Sequence, residues 1–150
     1  MLFRSRSMKA DGTVQLVHPE VMLEFLVADR GRGRKSPCPV PQLGLNAQPL
    51  RFMDIAEDSA IRIEKEGVSI RVPHPAAFAL HKLLVVSRRT EAAKAERDLA
   101  AAVSILNLLL AKDDTLVLRD LLRRFPKTWI KTIYQTLEDA GQMELLSSLK

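Results

Sequence analysis

The chain has 150 residues, of which 47% are hydrophobic and 27% are charged, a composition that excludes disorder along its length and suffices for one folded domain. The single cysteine, Cys38, excludes an internal disulfide framework and a cysteine-rich zinc site. No apolar run reaches the roughly 18 residues of a membrane span, and the net charge of +5 favours phosphate-bearing partners. We therefore predict a cytoplasmic protein that does not enter membranes.

The first third of the chain contains short runs rich in valine and leucine. Residues 13–17 and 21–29 flank a His-Pro-Glu turn, and this pattern predicts a β-hairpin. Residues 30–44 are basic and rich in proline and glycine, which predicts a loop of 15 residues. Residues 46–58 predict a short helix, because Pro49 is tolerated in a first helical turn.

The remaining residues predict a second hairpin and then only helices. The stretch that begins at Ala60 alternates apolar and polar residues around Gly67, as in a two-stranded hairpin. Apolar residues then recur at helical spacing, and five helices are predicted: 75–88, 91–111, 115–124, 127–139 and 142–148. The longest of them carries an apolar stripe: Leu99, Val103, Leu106 and Leu110.

Because strands come first and helices second, the predicted fold class is α+β, with a small antiparallel sheet of about four strands followed by a helical bundle. The chain divides accordingly into residues 1–74, which form the sheet, and residues 75–150, which form the bundle. We expect the two parts to pack as one unit.

An acidic residue interrupts the second predicted strand. Glu24 shares a strand face with Met22 and Leu26, and a charge in so apolar a strand is costly unless it is exposed, paired or bound to a metal. Two interpretations remain open at this point. Either this face lies in water at the edge of the sheet, or Glu24 has a metal-binding or catalytic role.

Basic side chains concentrate around the connection between the first two predicted long helices. Lys82 lies at the margin of the apolar face of the first helix, Arg88 and Arg89 lie in the connection, and Lys94 and Asp98 form an exposed pair one turn apart on the second. If the helices pack as an antiparallel hairpin, these side chains face one cleft, and phosphate recognition needs such a concentration of donors. The alternative is that they form the solvated faces of two packed helices.

Other chemical signals are weak or absent. His81 is expected at the margin of the core, and the three histidines lack the spacing of metal ligands. The sequence contains no phosphate-binding glycine loop, no HExxH and no GxSxG. Residues 115–142 can be matched to a DNA-binding helix-turn-helix, but an apolar helix pair that caps the bundle fits the pattern better.

Three stretches resemble a known family: LGLNAQPLRFMDI at 43–55, GVSIRVPHPAAFALHKLLVVSRR at 67–89 and KAERDLAAAVSIL at 94–106. They resemble the second half of bacterial nucleotidyltransferase-like proteins of the polymerase-beta superfamily, which are related to abortive-infection nucleotidyltransferase toxins. The resemblance spans residues 14–135 and implies an incomplete nucleotidyltransferase-like fold that contains the C-terminal part only.

The resemblance also implies functional residues. Those implied for catalysis are Glu24, Lys82 and Asp98, with Glu24 as a metal ligand too, and those implied for phosphate binding are Arg88, Arg89 and Lys94. The cofactors implied are Mg²⁺ and a nucleoside triphosphate.

The Gly-Ser helix-start motif and the Asp-x-Asp strand of such families do not occur in this sequence. Two-metal nucleotidyl transfer needs several carboxylates that converge on two Mg²⁺ ions about 4 Å apart, which Glu24 alone does not provide. The first hypothesis is therefore a nucleotide-closing half that is inactive alone and is completed by a partner chain.

The second hypothesis is a basic interaction module without enzymatic activity. It would bind RNA, DNA or a partner protein through the cleft and the RGRGRK segment at 30–35. An unpaired edge of the predicted sheet also predicts self-association.

Overall fold

The computed structural model of the chain describes residues 5–29 and 36–150. The chain divides into two compact units, Met1–Met53 and Asp54–Lys150. The second predicted hairpin belongs to the same unit as the helices, so the units divide earlier in the chain than the predicted change from strands to helices.

The first unit is built from six short strands: β1 (Ser5–Met8), β2 (Val14–Val17), β3 (Met22–Glu24), β4 (Leu26–Ala28), β5 (Cys38–Val40) and β6 (Leu45–Leu50). Strands β1, β2 and β3 form an antiparallel sheet in that order, which confirms the predicted first hairpin for β2 and β3. The second half of the predicted strand forms β4 in a separate sheet, of order β4-β6-β5, where β4 is parallel to β6. The predicted single run from 21 to 29 is therefore wrong.

Two further elements of this unit differ from the prediction. The predicted loop contains β5 and a short 3₁₀ turn at Pro41–Leu43, while residues 30–35 of that loop lie outside the described residues. The predicted helix at 46–58 is wrong in its first half, because residues 45–50 pair with β4 and β5.

Strand β6 accommodates Pro49 because the backbone groups of successive residues face opposite sides of the strand. Gln48 donates to the carbonyl oxygen of Phe25 and Leu50 accepts from the backbone N–H of Asp29, so Pro49 between them faces the other side of the strand. Strand β5 pairs only with residues 45–47. The missing N–H of Pro49 therefore costs no ladder hydrogen bond.

The second unit begins with α1 (Met53–Asp58) and an antiparallel hairpin of β7 (Ala60–Lys65) and β8 (Val68–Pro73). The turn residues Glu66 and Gly67 have φ angles of 53° and 77°. Positive φ at both positions suits a two-residue turn whose twist matches that of the strands. The predicted second hairpin is confirmed.

Five helices complete this unit: α2 (Pro75–Val86), α3 (Ala92–Ala111), α4 (Leu116–Arg124), α5 (Lys127–Asp139) and α6 (Met143–Leu149). Each predicted helix is present, and every end lies within two residues of its predicted position. Gly141 has a φ of 68°, the left-handed conformation expected of a residue that ends α5. The predicted α+β class is confirmed.

Helix α2 lies at the centre of the core of the second unit. It starts at Pro75, where the Nδ1 atom of His74 accepts a hydrogen bond of 3.1 Å from the backbone N–H of Ala76. It packs against α3, α4 and α5, and the predicted core-margin residue His81 is buried. The largest fully buried side chains are Leu80, Leu83, Leu84, Leu106, Leu118, Ile133 and Leu137. Only a narrow face of α2 remains exposed.

Candidate functional site

The narrow free face of α2 meets the start of α3. A connection formed by residues 87–91 joins the two helices, which pack against each other. A connection this short makes the pair an antiparallel helical hairpin, as the sequence predicted. Lys82 near the end of α2 therefore lies opposite Asp98 near the start of α3.

The Asp98 cluster, formed by Lys82, Arg89 and Asp98, places one carboxylate between two cations. The Nζ atom of Lys82 donates to Oδ1 of Asp98 at 2.5 Å, and the Nε atom of Arg89 donates to Oδ2 at 2.7 Å. The side chain of Asp98 is 9% exposed, while those of Lys82 and Arg89 are 22% and 35% exposed. A buried anion is thus covered by two partly exposed cations.

The charges of this cluster decide the protonation state of Asp98. Burial by itself raises the pKa of Asp98, but the hydrogen bonds and positive charges of Lys82 and Arg89 outweigh burial and lower the pKa below its usual range. Asp98 is therefore ionised at neutral pH and binds both cations as a carboxylate.

We expect the contribution of Asp98 to stability to depend on pH. Its pKa is lower in the folded chain than in the unfolded chain, so the stabilisation is present above about pH 4 and is lost as the pH falls through the folded pKa. Urea unfolding of the wild type and of Asp98→Asn at pH 7, 5, 4 and 3 measures this. The difference in the free energy of unfolding between wild type and Asp98→Asn should be constant at the higher pH values and shrink below about pH 4. An equal difference at pH 3 and pH 7 would contradict the ion pairing.

Both cations of the Asp98 cluster keep donors that the described part of the chain does not use. Within residues 5–29 and 36–150, Arg89 donates only its Nε atom, so its two terminal nitrogens bond no described residue. Lys82 donates one hydrogen bond, and its ammonium lies 5.1 Å from the centroid of the Phe78 ring. Guanidinium and ammonium donors of this kind bind phosphate oxygens.

The other predicted phosphate-binding residues lie close in sequence but outside the cluster. The predicted pair of Lys94 with Asp98 is wrong: Lys94 donates to Glu91 at 2.7 Å, because both oxygens of the buried Asp98 are already bonded to Lys82 and Arg89. The hydrogen bond and charge of Lys94 lower the pKa of the exposed Glu91. Arg88 is exposed in the connection.

Glu24 lies in the first unit, where it ends β3 and forms an ion pair with Lys9 across the sheet. Its side chain is exposed, as in the first of the two interpretations. Glu24 and Leu26 do not share one strand, because β3 ends at Glu24 and Leu26 begins β4 of a separate sheet. The role of Glu24 as a metal ligand stays a prediction.

The carboxylates do not fit a two-Mg²⁺ centre in the part of the chain that the structure describes. No group of three or more histidine, cysteine, aspartate or glutamate side chains there is arranged to hold a metal ion.

Sequence patterns identified the members of the cluster but not its pairing. Arg89 was expected among phosphate-binding residues, and its bond to Asp98, nine positions along the chain, was missed. The position of Lys82 beside Phe78 was predictable, and the ammonium lies over the ring of Phe78. The two residues are one turn apart on α2, and side chains at this spacing are neighbours on a helix.

The fold and the cluster together define an α+β protein with a helical hairpin that carries basic side chains in a fixed arrangement. A family model described as nucleotidyltransferase matches residues 3–126, which are 124 of the 150 residues. The chain therefore belongs to this nucleotidyltransferase family. No curated protein and no solved structure is significantly similar to it. Within the described ranges, no helix is long and apolar enough to cross a bilayer.

Proposed function

We propose that this chain is a cytoplasmic nucleotide-binding protein that holds the phosphates of a nucleoside triphosphate at the connection between α2 and α3. The observation that carries the proposal is the Asp98 cluster, with two cations fixed on one buried carboxylate and donors left over. Residues 82–98 contain five basic and three acidic side chains, so this segment keeps an excess of two positive charges. Membership of the nucleotidyltransferase family supports the choice of a nucleotide as the ligand.

Asp98 acts in this proposal as a positioning residue. Lys82 and Arg89 would repel each other without it, and long basic side chains lose conformational freedom when they bind a ligand. The carboxylate fixes both before the ligand arrives, which lowers the entropic cost of phosphate binding. Arg88 and Lys94 add positive charge around the phosphates.

We further propose that the chain does not catalyse nucleotidyl transfer by itself. The sequence contains no Asp-x-Asp pair, and the described carboxylates form no metal-binding group. Mg²⁺ would arrive with the triphosphate, and a partner chain of the polymerase-beta superfamily type would supply the converging carboxylates. Incubation of the chain alone with radiolabelled ATP, Mg²⁺ and total RNA should give no labelled product, and labelling that copurifies with the chain would overturn this part.

Calorimetric titration with ATP, with and without Mg²⁺, tests the nucleotide site. Lys82→Met keeps the apolar stem and removes the charge, and Arg89→Gln removes the guanidinium. Each should weaken ATP binding about tenfold or more, because charge-assisted bonds to phosphate are lost. Lys131→Met is the matched control, because Lys131 is an exposed lysine on α5, outside the cluster.

The outcomes separate the two hypotheses for this chain. Equal ATP affinities for Lys82→Met, Arg89→Gln and Lys131→Met would remove the Asp98 cluster from the site. Tighter binding of RNA than of ATP, with a steep loss of affinity at higher salt and no need for Mg²⁺, would establish the basic interaction module instead.

A further inference from the structure

A cavity of about 440 Å³ lies in the second unit, between the end of α3 and helices α4, α5 and α6. Its volume falls within the roughly 300–1,000 Å³ typical of small-molecule sites. No residue of the Asp98 cluster lines it. The apolar part of its wall consists of Leu110, Leu118, Leu122, Ile130, Tyr134 and Leu149.

Three polar side chains of α4 and its N-cap follow one line along this cavity. Thr115, Arg119 and Arg123 are spaced four residues apart, so they lie on one face of the helix, and all three line the cavity. The side chains of Arg119 and Arg123 form no ion pair or hydrogen bond with any described residue. The next residue, Arg124, is paired with Asp120 at 2.9 Å. Two uncompensated guanidinium groups therefore border an apolar wall.

Thr115 provides a second, independent indication of a ligand. It is only 7% exposed, and although it is the N-cap of α4 its hydroxyl makes no capping bond and bonds no other described residue. Among the described residues, no side-chain polar atom is both fully enclosed and unpaired, so the hydroxyl reaches the space of the cavity. The hydroxyl is open to the cavity, where a ligand atom would replace water as its hydrogen-bond partner.

The far side of the cavity is lined by the side chain of Lys150. The Nζ atom of Lys150 lies 5.8 Å from the centroid of the Tyr134 ring. The hydroxyl of Tyr134 donates to the carbonyl oxygen of Leu149 at 3.1 Å, which fixes the ring between α5 and α6. A flat apolar surface is thus held next to basic groups.

We propose that this cavity binds a small amphipathic anion, with an aromatic or short aliphatic body on the apolar wall and a phosphate or carboxylate on Arg119 and Arg123. The hydroxyl of Thr115 would bond the same anionic group or its neighbour. An inorganic anion would leave the apolar wall in water, and a neutral compound would leave the arginines without a partner. The site is separate from the proposed nucleotide site and shares no residue with it.

Calorimetric titration of the full chain with phenyl phosphate, benzoate, inorganic phosphate and phenol tests the proposal. Phenyl phosphate or benzoate should bind at least tenfold more tightly than inorganic phosphate and phenol, and whichever binds better identifies the anionic group. Arg119→Gln and Arg123→Gln should each weaken binding about tenfold, and Thr115→Val severalfold. Arg124→Gln and Thr132→Val are the matched controls on α4 and α5 and should bind as the wild type does.

Three results would overturn the proposal. The first is no binding of phenyl phosphate or benzoate at millimolar concentration. The second is equal affinity in Arg119→Gln, Arg123→Gln and Arg124→Gln. The third is loss of binding in Lys82→Met, which would assign these anions to the Asp98 cluster.

Discussion

Replacement of Leu106 by alanine should lower the free energy of unfolding by about 2–5 kcal/mol. Leu106 is fully buried on α3, among the largest enclosed side chains of the second unit. Truncation removes buried apolar surface and leaves a cavity, because close-packed neighbours relax only in part. Urea unfolding followed by the fluorescence of Trp129, the single tryptophan, measures the change.

Leu108 provides the control for this prediction on the same helix. It is 52% exposed, only two positions from Leu106, so Leu108→Ala should change the free energy of unfolding by no more than about 0.5 kcal/mol. Equal losses from the two variants would mean that α3 does not bury the face the structure assigns to its core.

The second large effect is expected at Asp98. Asp98→Asn should lower the free energy of unfolding by about 1–3 kcal/mol, because the amide leaves Lys82 and Arg89 side by side without a counter-charge. The loss is smaller than for a fully buried ion pair, since both cations are partly exposed and water screens them. Thermal unfolding followed by circular dichroism measures it as a fall in Tm of several degrees.

Glu91→Gln is the matched control for this variant. It removes the same charge just before the start of α3, but Glu91 is exposed, and its one ion pair among the described residues is with Lys94. Its stability should stay close to that of the wild type. A fall in Tm as large as that of Asp98→Asn would mean that net charge, and not the buried carboxylate, stabilises the helical hairpin.

The helices could be predicted from the sequence because their apolar residues recur over two to five turns. A pattern of that length still indicates a helix when single positions depart from it. Pro75 marks the start of α2 and Gly141 the end of α5, because each residue restricts or permits a particular backbone conformation. The hairpin at Gly67 was predictable for the same reason, since its turn requires unusual backbone angles.

The strands β5 and β6 could not be predicted in the same way. Their residues include Pro39, Pro41 and Pro49 near or within paired segments, which local propensity assigns to loops or helix starts. What places them in a sheet is pairing with strands distant in the chain, and a local pattern contains no information about such partners.

The face that α3 buries shows a similar limit. Of the predicted stripe, Leu106 is buried, while Leu99, Val103 and Leu110 are half-buried. The buried positions of α3 are Asp98, Ala102, Leu106 and Leu109. If every carboxylate is assumed to face solvent, the predicted buried face of α3 excludes Asp98. The partner cations that permit its burial come from α2 and from the connection, so the correct face follows only from the tertiary structure.

The division of the chain after Met53 places its single cysteine and its single tryptophan in different units. Cys38 is in the first unit and takes a single thiol-reactive fluorophore, while Trp129 is in the second unit. A denaturation curve recorded from each chromophore therefore follows one unit at a time. Coincident midpoints would show that the two units unfold in one cooperative transition. Different midpoints would show that each unit unfolds independently, with a stability of its own.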